Sequence, residues 1–306
     1  MAVVSTAAVV RPNWIRLIAA LTRARVTVAV TLTTATGWFL ASGGLGVDFA
    51  LAVIGVYLLA SGSSALNQCQ ERPIDARMLR TRHRPLPSGW IDLPTALFIA
   101  GLFILLGLAL LASVRHQAMT LVTLGLAALV WYNGVYTYLK RVTPFAVVPG
   151  ALIGSIPPLI GYVAAGGDLG DPRIALAACF FFVWQIPHFW LLLLLCGEQY
   201  SAAGLPSLTR VFTPPQLRRI TFVWIAATAV AGLTLPAADF LRLGLPADIV
   251  VFAASLWLVN HAWLALQPAP ASESPRRYRK AFARINIYAV IIMICLSIGG
   301  ILHPAG

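Results

Sequence analysis

The sequence is poor in charged residues. Its 306 residues include 22 Lys and Arg and 10 Asp and Glu, so 10% are charged, whereas about a quarter of the residues in a soluble domain carry charge. Hydrophobic residues make up 59% of the chain and the mean hydropathy is +0.83. This composition excludes a soluble enzyme and a disordered chain. It also excludes a nucleic-acid-binding protein, because the basic residues behind the net charge of +12 lie between apolar runs and not on one soluble surface.

The sequence also lacks cysteines at the close, regular spacing of a disulfide framework or a metal site. The chain contains four cysteines without CxxC spacing, at Cys69, Cys179, Cys196 and Cys295. A disulfide framework or a cysteine-bound metal would require closer and more regular spacing. We therefore interpret all four as packing residues.

What the chain does contain is long uncharged apolar runs. A bilayer core about 30 Å thick requires about 20 apolar residues per helix, with every backbone amide paired inside the segment. Nine such runs occur, at 26–43, 49–66, 95–114, 119–138, 145–166, 174–195, 220–238, 249–267 and 285–302. We predict an all-α polytopic membrane protein with about nine transmembrane helices, in which residues 1–306 form a single membrane domain.

Basic residues are distributed unevenly between these runs. The N-terminal segment and alternate connections contain 19 of the 22 Lys and Arg, whereas the other connections contain Arg115, Arg173 and Arg242. Because basic connections face the cytoplasm, we predict a cytoplasmic N-terminal segment at 1–25 and functional loops at 67–90 and 196–219 on the same side. The predicted location is the cell inner (cytoplasmic) membrane, with the active site on its cytoplasmic face.

One of these loops carries polar groups at a regular spacing. Asn67, Glu71 and Asp75 recur every four residues, which on a helix places three oxygen-bearing side chains on one face. Such oxygens are the ligands that Mg²⁺ prefers, and that ion usually completes its shell with water and substrate phosphate. Guanidinium groups bind phosphate in a forked geometry, and five arginines lie in the same stretch: Arg72, Arg77, Arg80, Arg82 and Arg84.

A plainer interpretation of this stretch stays open. Glu71 and Asp75 would pair with neighbouring arginines on an ordinary juxtamembrane turn, and the remaining arginines would contact lipid headgroups. The arginines close enough in sequence for such pairs are Arg72, Arg77 and Arg80.

These residues resemble a known family. The pattern Asn67-x-x-x-Glu71-x-x-x-Asp75, followed by Arg80-Thr-Arg82-His-Arg84-Pro, is similar to the first motif of the UbiA-type intramembrane prenyltransferase superfamily. Within it, the protoheme IX farnesyltransferase (haem O synthase) branch is the most similar. Three further stretches support that branch: Leu139-Lys140-Arg141-x-Thr143-Pro144, Trp184-Gln-Ile-Pro187-His188-Phe189 and Tyr200-x-x-x-Gly204-Leu-Pro206. Where the family has adjacent aspartates before the loop tyrosine, this chain has Glu198-Gln199.

The resemblance implies a reaction and a set of residues for it. It implies Mg-dependent transfer of a farnesyl group from farnesyl diphosphate to a vinyl group of haem B, giving haem O. The implied metal ligands are Asn67, Glu71, Asp75 and Glu198. The implied diphosphate-binding residues are Arg80, Arg82, Arg84, Lys140 and Arg141, and the catalytic set is Asn67, Glu71, Asp75, Lys140 and Arg141. Besides its substrates and membrane lipid, a haem A synthase or a terminal oxidase assembly factor is an implied partner.

The acceptor is predicted to lie within the membrane. Because water would capture a farnesyl cation early, we expect a central intramembrane chamber between the helices. His188 lies deep in a span, where an ionisable residue is a functional candidate, and a neutral histidine can ligate haem iron or contact a propionate. Trp184 and His83 complete the predicted acceptor site. A purely packing histidine beside Pro187 is the alternative.

Two other functions also stay open. One is a UbiA-type prenyltransferase with another acceptor, such as a quinone precursor or a chlorin. The other is a non-catalytic haem-binding or transport homologue. Transporters often contain two matching halves with ionisable groups at mid-membrane, whereas here the acids of the first motif lie at one end of a span. Mg-dependent turnover would distinguish these possibilities.

Overall fold

A computed structural model of the chain describes residues 13–42, 44–238, 244–268, 270 and 272–303, apart from the side chains of Glu198, Tyr200 and Ser201. Within these ranges the regular structure is entirely helical. The helices are α1 (Trp14–Leu21), α2 (Ala24–Ala41), α3 (Val47–Asp75), α4 (Leu93–Ala112), α5 (Ala118–Leu129), a π-helical segment (Val130–Tyr136), α6 (Thr137–Val142), α7 (Val147–Gly150), α8 (Leu152–Ala164), α9 (Pro172–Ala202), α10 (Pro214–Ala237), α11 (Leu245–Leu266) and α12 (Ser274–Leu302). Single 3₁₀ turns lie at Pro144–Ala146 and Leu208–Arg210.

Eight segments of the described chain are long and apolar enough to cross a membrane. They correspond to the second to ninth predicted runs, so the multi-pass all-α architecture is confirmed. The helices extend beyond the apolar runs at several ends, most clearly where α3 continues to Asp75 and where α12 begins at Ser274. Pro73 lies within the last turn of α3 without ending the helix.

The first predicted run forms α2, which is not among the eight segments. The helix α2 contains Arg25 and five threonines, which lower its hydropathy. All five threonine hydroxyls donate to carbonyl oxygens of the same helix, so their polarity is satisfied without water. This helix packs against α3, α8 and α12 and therefore contacts helices from both ends of the chain.

The long helices form a closed ring. In chain order α2, α3, α4 and α5 each pack against the next, α5 packs on α8, and α8 through α12 continue the series until α12 returns to α2. A direct contact between α2 and α8 divides the ring into two halves, each with its own hydrophobic core. Because Gly161 of α8 lies against the Thr34 carbonyl, a Cβ at that position would clash with the α2 backbone, as expected for small residues at membrane helix contacts.

Candidate active site

The three polar residues of the first motif lie on the buried face of α3. Asn67, Glu71 and Asp75 are 0%, 6% and 3% exposed, and they occupy the last turns of the helix. The four-residue spacing therefore forms one continuous stripe, as the sequence predicts. Because the C-terminal end of a helix carries partial negative charge, two carboxylates there need cations nearby.

The structure supplies those cations from other parts of the chain. Lys140 of α6 forms an ion pair with Glu71, and Arg23 Nη2 lies 3.8 Å from the second oxygen of Glu71. Arg84 Nη1 donates to Asp75 Oδ2 at 2.6 Å. The cations that pair with Glu71 and Asp75 thus include groups from α6, from the residue before α2 and from the connection after α3, whereas the neighbouring arginines Arg72 and Arg77 are exposed.

Arg23 is a site residue that the sequence analysis did not single out. It immediately precedes α2 and lies in the left-handed region, with φ of 52°, a conformation that costs energy for a non-glycine residue and often marks a functional site. Its guanidinium donates to Asn67 Oδ1 at 2.8 Å and to the Tyr132 hydroxyl at 3.2 Å. Burial alone would lower the pKa of Arg23, but nearby Tyr132 and Glu71 raise it above its ordinary value.

The π-helical segment contributes a second polar layer. Such segments are rare and frequently occur at functional sites. Asn133 accepts a hydrogen bond from the Ser63 hydroxyl at 2.6 Å and donates to Gln70 Oε1 at 3.1 Å. One turn later, the Thr137 hydroxyl accepts from Asn67 Nδ2 at 2.9 Å. These bonds hold the segment against α3 and so position Lys140 opposite Glu71.

The remaining predicted phosphate ligands are placed less uniformly. Arg141 Nη2 donates to the Gln70 carbonyl at 2.8 Å, and its guanidinium lies 5.2 Å from the centre of the Tyr138 ring. Arg80, Arg82 and His83 are exposed in the connection after α3, with Arg82 donating to His83 Nε2 at 3.4 Å. The side chain of Glu198 lies outside the described part of the structure.

The donor set at α3 fits a magnesium ion. Two buried carboxylates and an amide oxygen are the hard oxygen ligands that Mg²⁺ prefers, and the ion is usually bound by one or two carboxylates plus substrate phosphate and water. Among the described side chains, no group of three His, Cys, Asp or Glu residues could hold a metal by itself. Phosphate oxygens would therefore complete such a site.

The predicted acceptor residues lie between α9 and α12. His188 Nδ1 is 2.9 Å from Asn286 Oδ1, and Trp184 Nε1 donates to the Ile285 carbonyl at 3.1 Å. The centroid of the imidazole ring lies 4.7 Å from that of Phe282 and 5.1 Å from that of Trp184. His83, by contrast, is exposed in the connection after α3.

A chain of contacts connects His188 with the acidic stripe. Lys140 lies over the Tyr136 ring, and Tyr136 packs against Gly150 so closely that a Cβ there would clash. One turn further, Gly154 packs in the same way against Gln185, which precedes His188 by three residues on the same face of α9. The two glycines thus let the α6–α8 segment bridge the two predicted sites.

The site residues that sequence analysis missed share one feature. Each is a polar residue in or beside an apolar run: Arg23, Tyr132, Asn133, Thr137 and Asn286. Polar groups inside a membrane are costly and usually functional, so this signal was present in the sequence. It did not reveal which of these residues meet.

Residues 30–298 match the family model described as the UbiA prenyltransferase family. The chain belongs to this family. Two relatives named protoheme IX farnesyltransferase are similar to it. One, from Oleidesulfovibrio alaskensis, is 35% identical over 286 residues, which are 93% of this chain and 96% of the relative. The other, from Geobacter sulfurreducens, is 44% identical over 191 residues, 61% of this chain and 68% of the relative.

A solved structure has the same fold. A UbiA homologue from Archaeoglobus fulgidus bound to GPP and Mg²⁺ matches with a TM-score of 0.66 and 15% identity, over 92% of this chain and 98% of that one. The family and its named members identify the chain as a multi-pass membrane prenyltransferase.

Proposed function

We propose that this prenyltransferase transfers a farnesyl group from farnesyl diphosphate to a vinyl group of haem B in a Mg-dependent reaction, giving haem O. Its relatives named protoheme IX farnesyltransferase, at 35% and 44% identity, support this acceptor and this donor. The observation that carries the proposal is the buried stripe of Asn67, Glu71 and Asp75 with the cations Lys140, Arg23 and Arg84 around it.

The reaction requires stabilisation of a leaving group. The allylic carbon–oxygen bond of the donor breaks, diphosphate leaves with the electron pair, and the allylic carbon bonds to the vinyl group. Water then adds to the resulting cation and loses a proton. Positively charged groups that stabilise the negative charge developing on diphosphate lower the activation barrier of this step. Lys140 and Arg84, with Arg80, Arg82 and Arg141, are the residues proposed to do so.

The metal would be held at the same place. Asn67, Glu71 and Asp75, with Glu198 from the last turns of α9, are the proposed ligands. Bound with the diphosphate, Mg²⁺ supplies Lewis-acid stabilisation of the leaving group. The magnesium and GPP in the Archaeoglobus fulgidus homologue support this use of metal in the fold.

The site is proposed to face the cytoplasm in the cell inner membrane. The uneven distribution of Lys and Arg supports that orientation, and the acidic stripe lies at the end of α3 next to the Arg-rich connection. A haem A synthase or a terminal oxidase assembly factor is the proposed recipient of the product.

The test uses membranes that contain the full chain. We expect farnesylated haem, detected by chromatography and mass analysis, after incubation with haem B, farnesyl diphosphate and Mg²⁺, and none when Mg²⁺ is chelated. Asp75→Asn should abolish the product. Asp92→Asn is the matched control, because Asp92 is an exposed helix cap in the same connection and Asn caps helices as well as Asp. Product from a quinone precursor but not from haem B would overturn the proposed acceptor.

A further inference from the structure

Asn286 is the residue that decides which nitrogen of His188 carries the proton. Its amide nitrogen lies 2.6 Å from the Phe282 carbonyl oxygen and its amide oxygen lies 2.9 Å from His188 Nδ1. A backbone carbonyl can only accept a hydrogen bond, so the amide group of Asn286 must be turned with its nitrogen towards Phe282. Its oxygen therefore accepts from His188, and the hydrogen lies on Nδ1.

The other ring nitrogen, Nε2, consequently carries a free electron pair. A neutral imidazole with its hydrogen on Nδ1 has an unprotonated Nε2. The neighbours of the ring are the aromatic side chains of Trp184, Phe189 and Phe282, and such apolar surroundings favour the neutral form. Within the described part of the chain, Nε2 makes no hydrogen bond.

This assignment separates two ways in which the ring could contact a porphyrin. An ionised propionate only accepts hydrogen bonds, so it cannot pair with an unprotonated Nε2. A metal ion, by contrast, needs that lone pair. Ligating histidines almost always donate their other N–H to a carbonyl or carboxylate oxygen, which fixes the ring and raises its basicity, and the amide oxygen of Asn286 occupies that position.

We propose that Asn286 is a positioning residue that holds His188 with Nε2 free as an axial ligand for the iron of an iron porphyrin. This inference rests on the proposed function, because haem B is the iron porphyrin in question. A second hydrogen bond between the same two helices, from Trp184 to the Ile285 carbonyl one turn away, fixes the separation of α9 and α12. The two hydrogen bonds thus hold the His188 ring, and the lone pair on its Nε2, in one orientation.

The experiment compares haem B with its iron-free analogue, protoporphyrin IX. Each is titrated into the purified full chain without farnesyl diphosphate, and iron ligation is read from absorption and electron paramagnetic resonance spectra. We expect a histidine-ligated spectrum that His188→Ala abolishes and added imidazole restores. Asn286→Leu should weaken haem B binding by about 10- to 100-fold, the range for lost second-shell partners, and change protoporphyrin binding by less than about threefold.

Three further variants separate positioning from packing. Asn286→Asp keeps an oxygen acceptor for Nδ1 and should retain the histidine-ligated spectrum. Trp184→Phe removes the other α9–α12 hydrogen bond and should weaken both porphyrins equally. His261→Ala is the matched control, because His261 also has Nδ1 bonded to a carbonyl and a tryptophan ring beside it, but on α11; it should leave both affinities unchanged.

The outcomes distinguish this inference from the proposed function. An unchanged haem spectrum in His188→Ala, or equal loss of both porphyrins in Asn286→Leu, would overturn the inference, even if the wild-type chain makes farnesylated haem. A histidine-ligated spectrum that depends on both residues, without any farnesylated product, would support the inference and remove the proposed reaction. A wild-type chain that binds no haem B would overturn both.

Discussion

The ion pair between Arg84 and Asp75 should contribute measurably to stability, unlike an ordinary surface pair. The two side chains are 21% and 4% exposed, and their N–O distance is 2.6 Å. A hydrogen bond between charged groups contributes about 1.5–3 kcal/mol, and removal of one partner of a buried pair costs about 3–5 kcal/mol. Because water reaches Arg84, we expect Arg84→Met to cost about 2–3 kcal/mol, at or below the lower end of that range.

A double-mutant cycle with Arg84→Met and Asp75→Asn measures the coupling directly. The readout is the free energy of unfolding in mixed micelles with increasing dodecyl sulfate, and the expected coupling is about 1.5–2.5 kcal/mol. The chain offers a matched control in Arg277 and Glu273, whose distance is 2.8 Å but whose side chains are 36% and 56% exposed. That pair should give about 0.3–0.5 kcal/mol. Equal coupling energies in the two cycles would refute the argument from burial.

Three other predictions follow from the structure. Arg23→Met should lower the affinity for farnesyl diphosphate and Mg²⁺ at least about tenfold, the effect of one lost charged contact of about 1.4 kcal/mol. Calorimetry measures this affinity. In the inactive Asp75→Asn background, the same substitution should cause little further loss of affinity. Gly161→Ala should destabilise the protein by about 1–3 kcal/mol through overpacking, whereas Gly101→Ala, which meets open space, should not; equal melting temperatures would contradict this. Arg173 lowers the pKa of Asp171 to about 2. The contribution of the ionised Asp171 to stability is therefore present above about pH 4 and is lost as the pH falls towards 2. The difference in melting temperature between wild type and Asp171→Asn should disappear over that interval.

The helical architecture could be read from the sequence because it depends on local composition. Apolar runs of bilayer length become helices in any membrane environment, and the four-residue spacing of Asn67, Glu71 and Asp75 fixes their common face once α3 exists. The run predicted at 26–43 also forms a helix, α2, but its threonines and the adjoining Arg25 keep its hydropathy below that of the eight candidate spans.

The partners of the stripe could not be read in the same way. The hydrogen bonds of Asn67 with Arg23 and Thr137 connect residues 44 and 70 positions apart, and no periodicity encodes such distances. Arg72 and Arg77, the arginines nearest to the acids in sequence, are exposed, whereas Lys140 and Arg84 form ion pairs with the two acids. The left-handed backbone at Arg23 and the π-helical segment both result from tertiary packing, and neither has a local sequence signature here.

The packing of α2 against both early and late helices bears on how the protein is assembled in the cell. A helix of modest hydropathy is a weak membrane segment when it leaves the ribosome, and its contacts with α8 and α12 involve residues synthesised much later. The close approach of Gly300 of α12 to the Phe39 carbonyl completes those contacts. We expect Arg23, which precedes α2, to reach its final position only once α12 has been synthesised. We expect truncated chains to insert most of their helices and still lack an assembled diphosphate site.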